Sequence, residues 1–213
     1  MDFLNFSQQI VKLQKLALPG EQAHLDMAPI ERIIELKRLA AARKTAREAA
    51  VLALFYPSPS NQTHFVLILR KTYKGVHSAQ VGFPGGKRES SDRDFAETAL
   101  RETEEEVGVP RSQVRLIKEL TEVYIPPSNF VVKPYLGLTT SQPHFVLQEE
   151  EVEAIIEVPL SELMNDSVLV EQTLSTSYAT NIRVPAFRLQ QHTVWGATAM
   201  MLSELRQLLS ALD

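Results

Sequence analysis

A double glycine followed by a short, acid-rich helical run ending in glycine is the feature that most restricts this chain. Gly85 and Gly86 precede a segment that closes on Arg101, Glu102, Thr103, Glu104, Glu105, Glu106, Val107, Gly108 and Val109. Ala96, Ala99, Leu100, Thr103 and Val107 recur at helical spacing and supply one core stripe. Ser91 or Asp92 offers an N-cap, and Gly108 stands where a glycine closes a helix. The segment therefore reads as loop, helix, loop, with the paired glycines permitting close backbone approach at its entry. On such a helix Glu102, Glu105 and Glu106 project within one turn. Like charges at that spacing each cost roughly 0.2–0.5 kcal/mol, so a helix meant only to fold would interleave lysines. A cation is expected to bind there. Mg²⁺ takes hard oxygen ligands, commonly one or two carboxylates with waters and substrate phosphates, so the cluster reads as a metal–phosphate site. Arg101, four residues before Glu105, is placed to hold a carboxylate and to balance charge. The plain alternative, a solvated acidic face, does not account for the glycines and the capped core stripe.

These residues resemble the Nudix box: Gly, five residues, Glu, seven residues, then Arg-Glu-U-x-Glu-Glu-x-Gly-U with U aliphatic. Gly86 takes the first glycine, and Arg101 to Val109 match throughout except for Thr103 at an aliphatic position. The proximal acid departs from the pattern. Asp92 replaces Glu, and eight residues separate it from Arg101. Upstream, Leu69 to Gly86 is similar to the extra signature of the coenzyme A diphosphatase subgroup. Arg70, His77, Gln80, Val81 and Phe83 to Gly86 match it, whereas Lys71, Gly75 and Ala79 stand where Ser, Arg and Gly are usual. The Asp variant with its extra residue is common in the same subgroup. Ser128-Asn129-Phe130, Glu151-Val152 and Trp195 to Ala199 also look like subgroup features.

The resemblance implies a metal-dependent hydrolase that cleaves the diphosphate of coenzyme A or acyl-coenzyme A to 3′,5′-ADP and a phosphopantetheine product. It implies Mg²⁺ or Mn²⁺ held by Glu102, Glu105 and Glu106, with the main-chain carbonyl of Gly86 able to add a ligand. Bound metal can both activate water and neutralise phosphoryl charge. Arg101, Glu102, Glu105 and Glu151 form the expected catalytic set, Arg101 orienting a glutamate. The base for the water is Glu102 or an acid among Glu149, Glu150 and Glu151, of which Glu151 is favoured because Glu151-Val152 resembles the subgroup's pair. A solvated loop is the simpler reading of that trio. The 3′-phosphate calls for further cations, and Arg70, Lys71 and Lys74 precede the catalytic loop. His77 and Gln80 contact substrate or bond the loop itself. Trp195 is expected in the core rather than stacked on adenine; Tyr124 and Phe130 stay open. Two other readings remain: a diphosphatase for ADP-ribose or a dinucleotide, and a non-catalytic nucleotide-binding module, although such modules usually lose box carboxylates.

Composition bounds these expectations. In 213 residues, 44% are apolar, enough for a real core, and the net charge of −4 leaves no basic footprint for nucleic acid. Cysteine is absent, which rules out disulfides and thiolate chemistry and is compatible with a cytoplasmic location. Ala49 to Tyr56, the longest apolar stretch, is far too short to span a bilayer, and Met1 to Leu18 lacks the pattern of a secretory signal. The expected partner is a small nucleoside diphosphate substrate such as coenzyme A, without nucleic acid or membrane, and a homodimer is left open.

Helices are expected at Phe3 to Leu16, from Pro29 towards Ala42, through the box, and from Ala197 to Leu212. Strands are expected at Ala49–Tyr56, His64–Leu69, Val114–Glu122, Phe130–Leu138, Glu153–Val158 and Ile182–Leu189. The fold class is therefore α+β. The resemblance implies a Nudix-type α/β/α sandwich with a mixed sheet and a catalytic loop-helix-loop, residues 45–213, preceded by an N-terminal helical extension, residues 1–44.

Overall fold

The computed structural model describes residues 1–39, 41–71, 80–174 and 181–212. Its helices are α1 (Phe3–Gln9), α2 (Glu21–Leu25), α3 (Ile30–Arg38), α4 (Phe95–Val107), α5 (Leu160–Leu163) and α6 (Gly196–Leu209). Its strands are β1 (Arg47–Pro57), β2 (Thr63–Arg70), β3 (Val81–Gly82), β4 (Gly85–Lys87), β5 (Arg115–Glu119), β6 (Val123–Ile125), β7 (Phe130–Leu138), β8 (Val152–Pro159), β9 (Leu169–Leu174), β10 (Ile182–Leu189) and β11 (His192–Trp195).

The main sheet runs β3-β2-β1-β7-β5, with β4 paired to β1, β6 to β7 and β8 to β2. Among the described residues only β1 and β7 pair in parallel, so the sheet is mixed. From Ala49 to Tyr56 every residue of β1 is buried, the signature of a strand covered on both faces. Alternate side chains divide between the two covers. Val51, Ala53 and Phe55 join Phe65 and Leu67 against α1 and α6, whereas Ala50, Leu52, Leu54 and Tyr56 join Val66 and Ile68 against Ala99 and Val107 of α4. This is the expected α+β architecture, a sheet between helical layers, with the box helix on one face. Antiparallel β9, β10 and β11 form a second, three-stranded sheet.

The N-terminal helices close the core on the other face. Phe3, Phe6, Ile10 and Leu13 belong to the same apolar cluster as Phe55, Leu205 and Leu209, and the Phe6 and Phe55 rings lie 5.0 Å apart. The long first helix expected from the sequence tightens after Gln9 into a 3₁₀ turn at Ile10–Lys15, which turns Ile10 and Leu13 onto that core. Glu204 of α6, fully buried, anchors the region: it accepts from Gly20 N at 3.2 Å and from Thr121 N at 3.1 Å, and pairs with His24 Nε2 at 3.2 Å. Burial pushes its carboxyl up, but the bonds from His24 and Thr121 outweigh that and hold it below its ordinary value.

Candidate functional site

The loop leading into α4 is shaped by the two glycines. Gly85 adopts φ +148°, and a Cβ there would lie 2.3 Å from the Ala50 carbonyl oxygen of β1. A Cβ on Gly86 would lie 2.4 Å from the Glu102 carboxylate. Bare backbone at both positions lets the acidic side of α4 press against the loop. The N–H of Gly85 then donates to Glu106 Oε2 at 2.7 Å.

Glu106 is only 1% exposed, and its second oxygen accepts from Arg70 Nη1 at 3.0 Å. Arg70 also donates through Nη2 to the Gly85 carbonyl at 2.7 Å, closing a ring of strand, loop and helix. The β2–β8 register slips between Leu69 and Arg70, so that Arg70, the last residue of β2, pairs with Val152 beyond an irregularity. Burial raises the Glu106 carboxyl to about 7 despite the opposing pull of Arg70 and the Gly85 N–H. Arg70, expected to meet a substrate phosphate, therefore spends its guanidinium on the box glutamate and the loop.

Arg101 is the second hub. Its Nε and Nη2 meet Asp92 Oδ1 and Oδ2 at 2.9 and 3.0 Å, a bidentate pair. Its Nη1 lies 2.9 Å from both Glu102 Oε1 and Glu105 Oε2, and Nη2 also donates to the Lys87 carbonyl at 3.1 Å. Asp92, 5% exposed, accepts further bonds from Glu89 N and Thr98 Oγ1, each at 2.9 Å. The Arg101 guanidinium holds the Asp92 carboxyl well below the usual carboxylate range. The departure from the box pattern thus marks a brace behind the carboxylate cluster. Asp92 is consequently not the helix cap, nor is Ser91: Asp94 caps α4, accepting from Glu97 N at 2.8 Å, and Gly108 ends it at φ 74° as expected.

Burial raises the Glu102 carboxyl, Arg101 opposes, and the charges of Glu105 and Glu151 add to the rise. Glu151 also raises Glu106. It comes to the cluster through the sheet, its carbonyl accepting from Lys71 N at 2.9 Å beside Arg70, and its side chain is exposed. Glu149 and Glu150 are exposed on the turn before it. Among the described residues no three acidic or histidine side chains stand ready around one point for a metal ion, because Arg101 and Arg70 occupy the carboxylate oxygens. The donor chemistry nevertheless fits a hard divalent cation: Glu102 and Glu106 are carboxylates whose surroundings disfavour their own charge and would be relieved by one.

Lys71 is half-buried at the loop entrance, and Gln80 leaves it, its carbonyl accepting from Arg70 N at 3.0 Å. Lys74 and His77 lie outside the described residues. Trp195 is partly exposed at the junction of β11 and α6 rather than buried in the core. Tyr124 donates to Asn129 Oδ1 at 3.0 Å, and Phe130 lies under the Arg47 guanidinium at 4.1 Å. One contact not foreseen in the sequence is that of Thr198, in the first turn of α6, which donates to the Val81 carbonyl at 3.0 Å and ties the last helix to the catalytic loop.

The NUDIX domain model matches residues 40–175. The uncharacterized Nudix hydrolase NudL of Pectobacterium atrosepticum is 35% identical over 172 residues, covering 75% of this chain and 81% of that protein. The protein of the same name from Yersinia pestis is 33% identical over 168 residues, covering 78% and 81%. Among solved structures, the Nudix hydrolase RenU of M. smegmatis superposes with a TM-score of 0.55 at 18% identity over 79% of this chain and 88% of its own. A MutT/nudix family protein from Enterococcus faecalis gives 0.53 at 12% identity over 92% and 76%. These two structural likenesses speak for the fold.

Proposed function

Since the chain belongs to the NUDIX family and is a hydrolase of phosphoric anhydrides, we propose that it splits coenzyme A or an acyl-coenzyme A at the diphosphate, giving 3′,5′-ADP and a phosphopantetheine product. The observation that carries the diphosphatase reading is that Glu106 is bound to the Gly85 N–H of the glycine loop and to Arg70, while Arg101 holds Glu102 and Glu105 of the same helix and the charge of Glu151 reaches Glu102 and Glu106. Support for coenzyme A comes from the run Leu69 to Gly86, whose Arg70, His77, Gln80, Val81 and Phe83 to Gly86 follow the subgroup signature.

Glu102, Glu105 and Glu106, with the main-chain carbonyl of Gly86, would hold Mg²⁺ or Mn²⁺. When bound, the ion supplies charge neutralisation on the phosphoryl oxygens and lowers the pKa of water. Glu151 takes the water proton; it is preferred over Glu102, whose carboxylate is engaged by Arg101 at 2.9 Å. Asp92 fixes Arg101, and Arg101 in turn fixes Glu102 and Glu105, so these two carboxylates are oriented before substrate arrives. With Arg70 turned to Glu106, Lys71 is left among the described residues to meet the 3′-phosphate, with Lys74, His77 and Gln80 assigned to substrate from the sequence signature.

The test is hydrolysis of coenzyme A, dephospho-coenzyme A, ADP-ribose and a diadenosine polyphosphate with Mg²⁺ and with Mn²⁺. Coenzyme A is expected to give the highest kcat/KM. A preference for ADP-ribose or the dinucleotide would replace the substrate assignment. Hydrolysis of none, with nucleotide binding retained, would make the domain a binding module.

A further inference from the structure

Helix α3 is built inside out. Over its nine residues it buries Arg32 to 7% exposure, with Nη1 2.7 Å from Glu35 Oε2, and leaves Ile30 and Ile34 72% and 61% exposed. Leu36 is the apolar residue of the helix that packs against the core. Scattered surface isoleucines are ordinary; an arginine underneath and two isoleucines one turn apart on the outer face are not. Glu31, Lys37 and Arg38 are exposed with them. Seen from outside, Ile34 is at the centre of this face, with Glu31 and Arg38 along one edge and Ile30 and Lys37 along the other.

We propose that this face packs against α3 of a second copy of the chain, antiparallel about a two-fold axis passing beside Ile34. Such an axis reverses the helix direction and keeps each edge opposite itself. Ile34 then meets its own copy. Glu31 meets Arg38 of the partner subunit, twice by symmetry. Along the other edge the aliphatic stem of each lysine covers an isoleucine of the facing helix. A parallel pairing would bring opposite edges together, setting Arg38 against Lys37 of the partner subunit and leaving Glu31 against an isoleucine, so the charges select the antiparallel form. They also disfavour a lipid surface as the occupant: α3 carries two acids, Glu31 and Glu35, against three bases, Arg32, Lys37 and Arg38, and with Arg32 buried against Glu35 the exposed face holds one acid and two bases, too small an excess for anionic headgroups. A pair of nine-residue helices buries less than the ~1,200 Å² typical of stable interfaces, so the dimer forms in the micromolar range or above.

Sedimentation equilibrium of the full chain between about 5 and 500 µM, a range set by weak-association arithmetic, reads mass and is independent of any substrate. A concentration-dependent dimer is expected, and Ile34→Glu should remain monomeric. Glu31→Arg and Arg38→Glu should each weaken association on the order of tenfold, because each turns two attractive contacts repulsive. Mixed in equal amounts, these two variants should recover the dimer, since the mixed pair has opposite charges at both contacts. All three positions are exposed, and circular dichroism checks that each variant folds. A wild type monomeric throughout, a dimer indifferent to Ile34→Glu, or a mixture no tighter than its components would overturn the proposal. So would a monomeric wild type that binds phosphatidylserine vesicles through Ile34.

Discussion

Asp92 and Arg101 meet through two parallel hydrogen bonds of 2.9 and 3.0 Å, nine residues apart in sequence, in a setting where neither is more than 9% exposed. The same guanidinium then reaches Glu102 and Glu105, so the pair decides where the box carboxylates point.

Removing one member of a buried ion pair costs about 3–5 kcal/mol. Asp92→Asn keeps the shape and one acceptor, so a stability loss near the lower end is expected in urea unfolding. It should also lower turnover, because Arg101 is released from its fixed orientation. A variant with unchanged unfolding midpoint and unchanged kcat would show that the pair is neither a brace nor a positioning device.

Glu106→Gln should reduce turnover on the order of a hundredfold or more, equivalent to about 2.7 kcal/mol of barrier. It deletes one carboxylate that would hold metal. Without metal the fold should survive, since the replacement also removes a charge that burial disfavours. Steady-state rates at saturating Mg²⁺, alongside unfolding of both proteins in EDTA, make the comparison. Equal rates would remove Glu106 from the proposed metal set.

The pH dependence follows from the direction of the Glu106 shift. Its folded pKa, about 7, lies above the ordinary 4.5, so between those values the folded metal-free protein binds more protons than the unfolded chain. Its contribution to stability is therefore fully present below pH 4.5 and is lost as pH rises through 7. With Mg²⁺ the slope should reverse, because metal binding displaces the proton. Urea unfolding at intervals across this range, with and without Mg²⁺, should show opposite slopes in wild type and a flatter metal-free curve in Glu106→Gln. Parallel curves for the two proteins would assign the slope to other groups.

Lys71→Ala should penalise coenzyme A more than dephospho-coenzyme A. A charge-assisted hydrogen bond to phosphate is worth roughly 1.5–3 kcal/mol, and Lys71 is half-buried at the loop entrance. About tenfold in kcat/KM is expected for coenzyme A. ADP-ribose, which lacks the 3′-phosphate, should be unaffected. An equal loss on all three substrates would place Lys71 in loop structure instead of recognition.

What the sequence made legible was local. The expected strands at Ala49–Tyr56, Phe130–Leu138 and Ile182–Leu189 fall on β1, β7 and β10, because alternation or unbroken burial fixed them. The short strands Val81–Gly82, Gly85–Lys87 and Val123–Ile125 are too brief to carry a period and exist through their partners. Trp195 ends a strand and precedes a helix, a place where composition alone favours the core and the chain's turn leaves it partly exposed. The braces were illegible for a related reason. Arg70 and Glu106 are 36 residues apart, and Glu151 reaches the cluster through the pairing of β2 with β8. The box motif pointed to the glutamates, whereas Arg70, read from the sequence as a cation for a substrate phosphate, is seen to hold Glu106 only once the sheet is assembled.

The Phe6–Phe55 contact changes where this enzyme can be cut. The segment matched by the family, residues 40–175, contains the carboxylates and both glycines, yet one face of its central sheet is roofed by α1 and α6, which lie outside it. Trimmed to those limits, the protein would present Val51, Ala53, Phe55, Phe65 and Leu67 to water, a broad apolar surface of the kind that drives aggregation. The transplantable module therefore includes both chain ends, and fusions or shuffled variants should join beyond them.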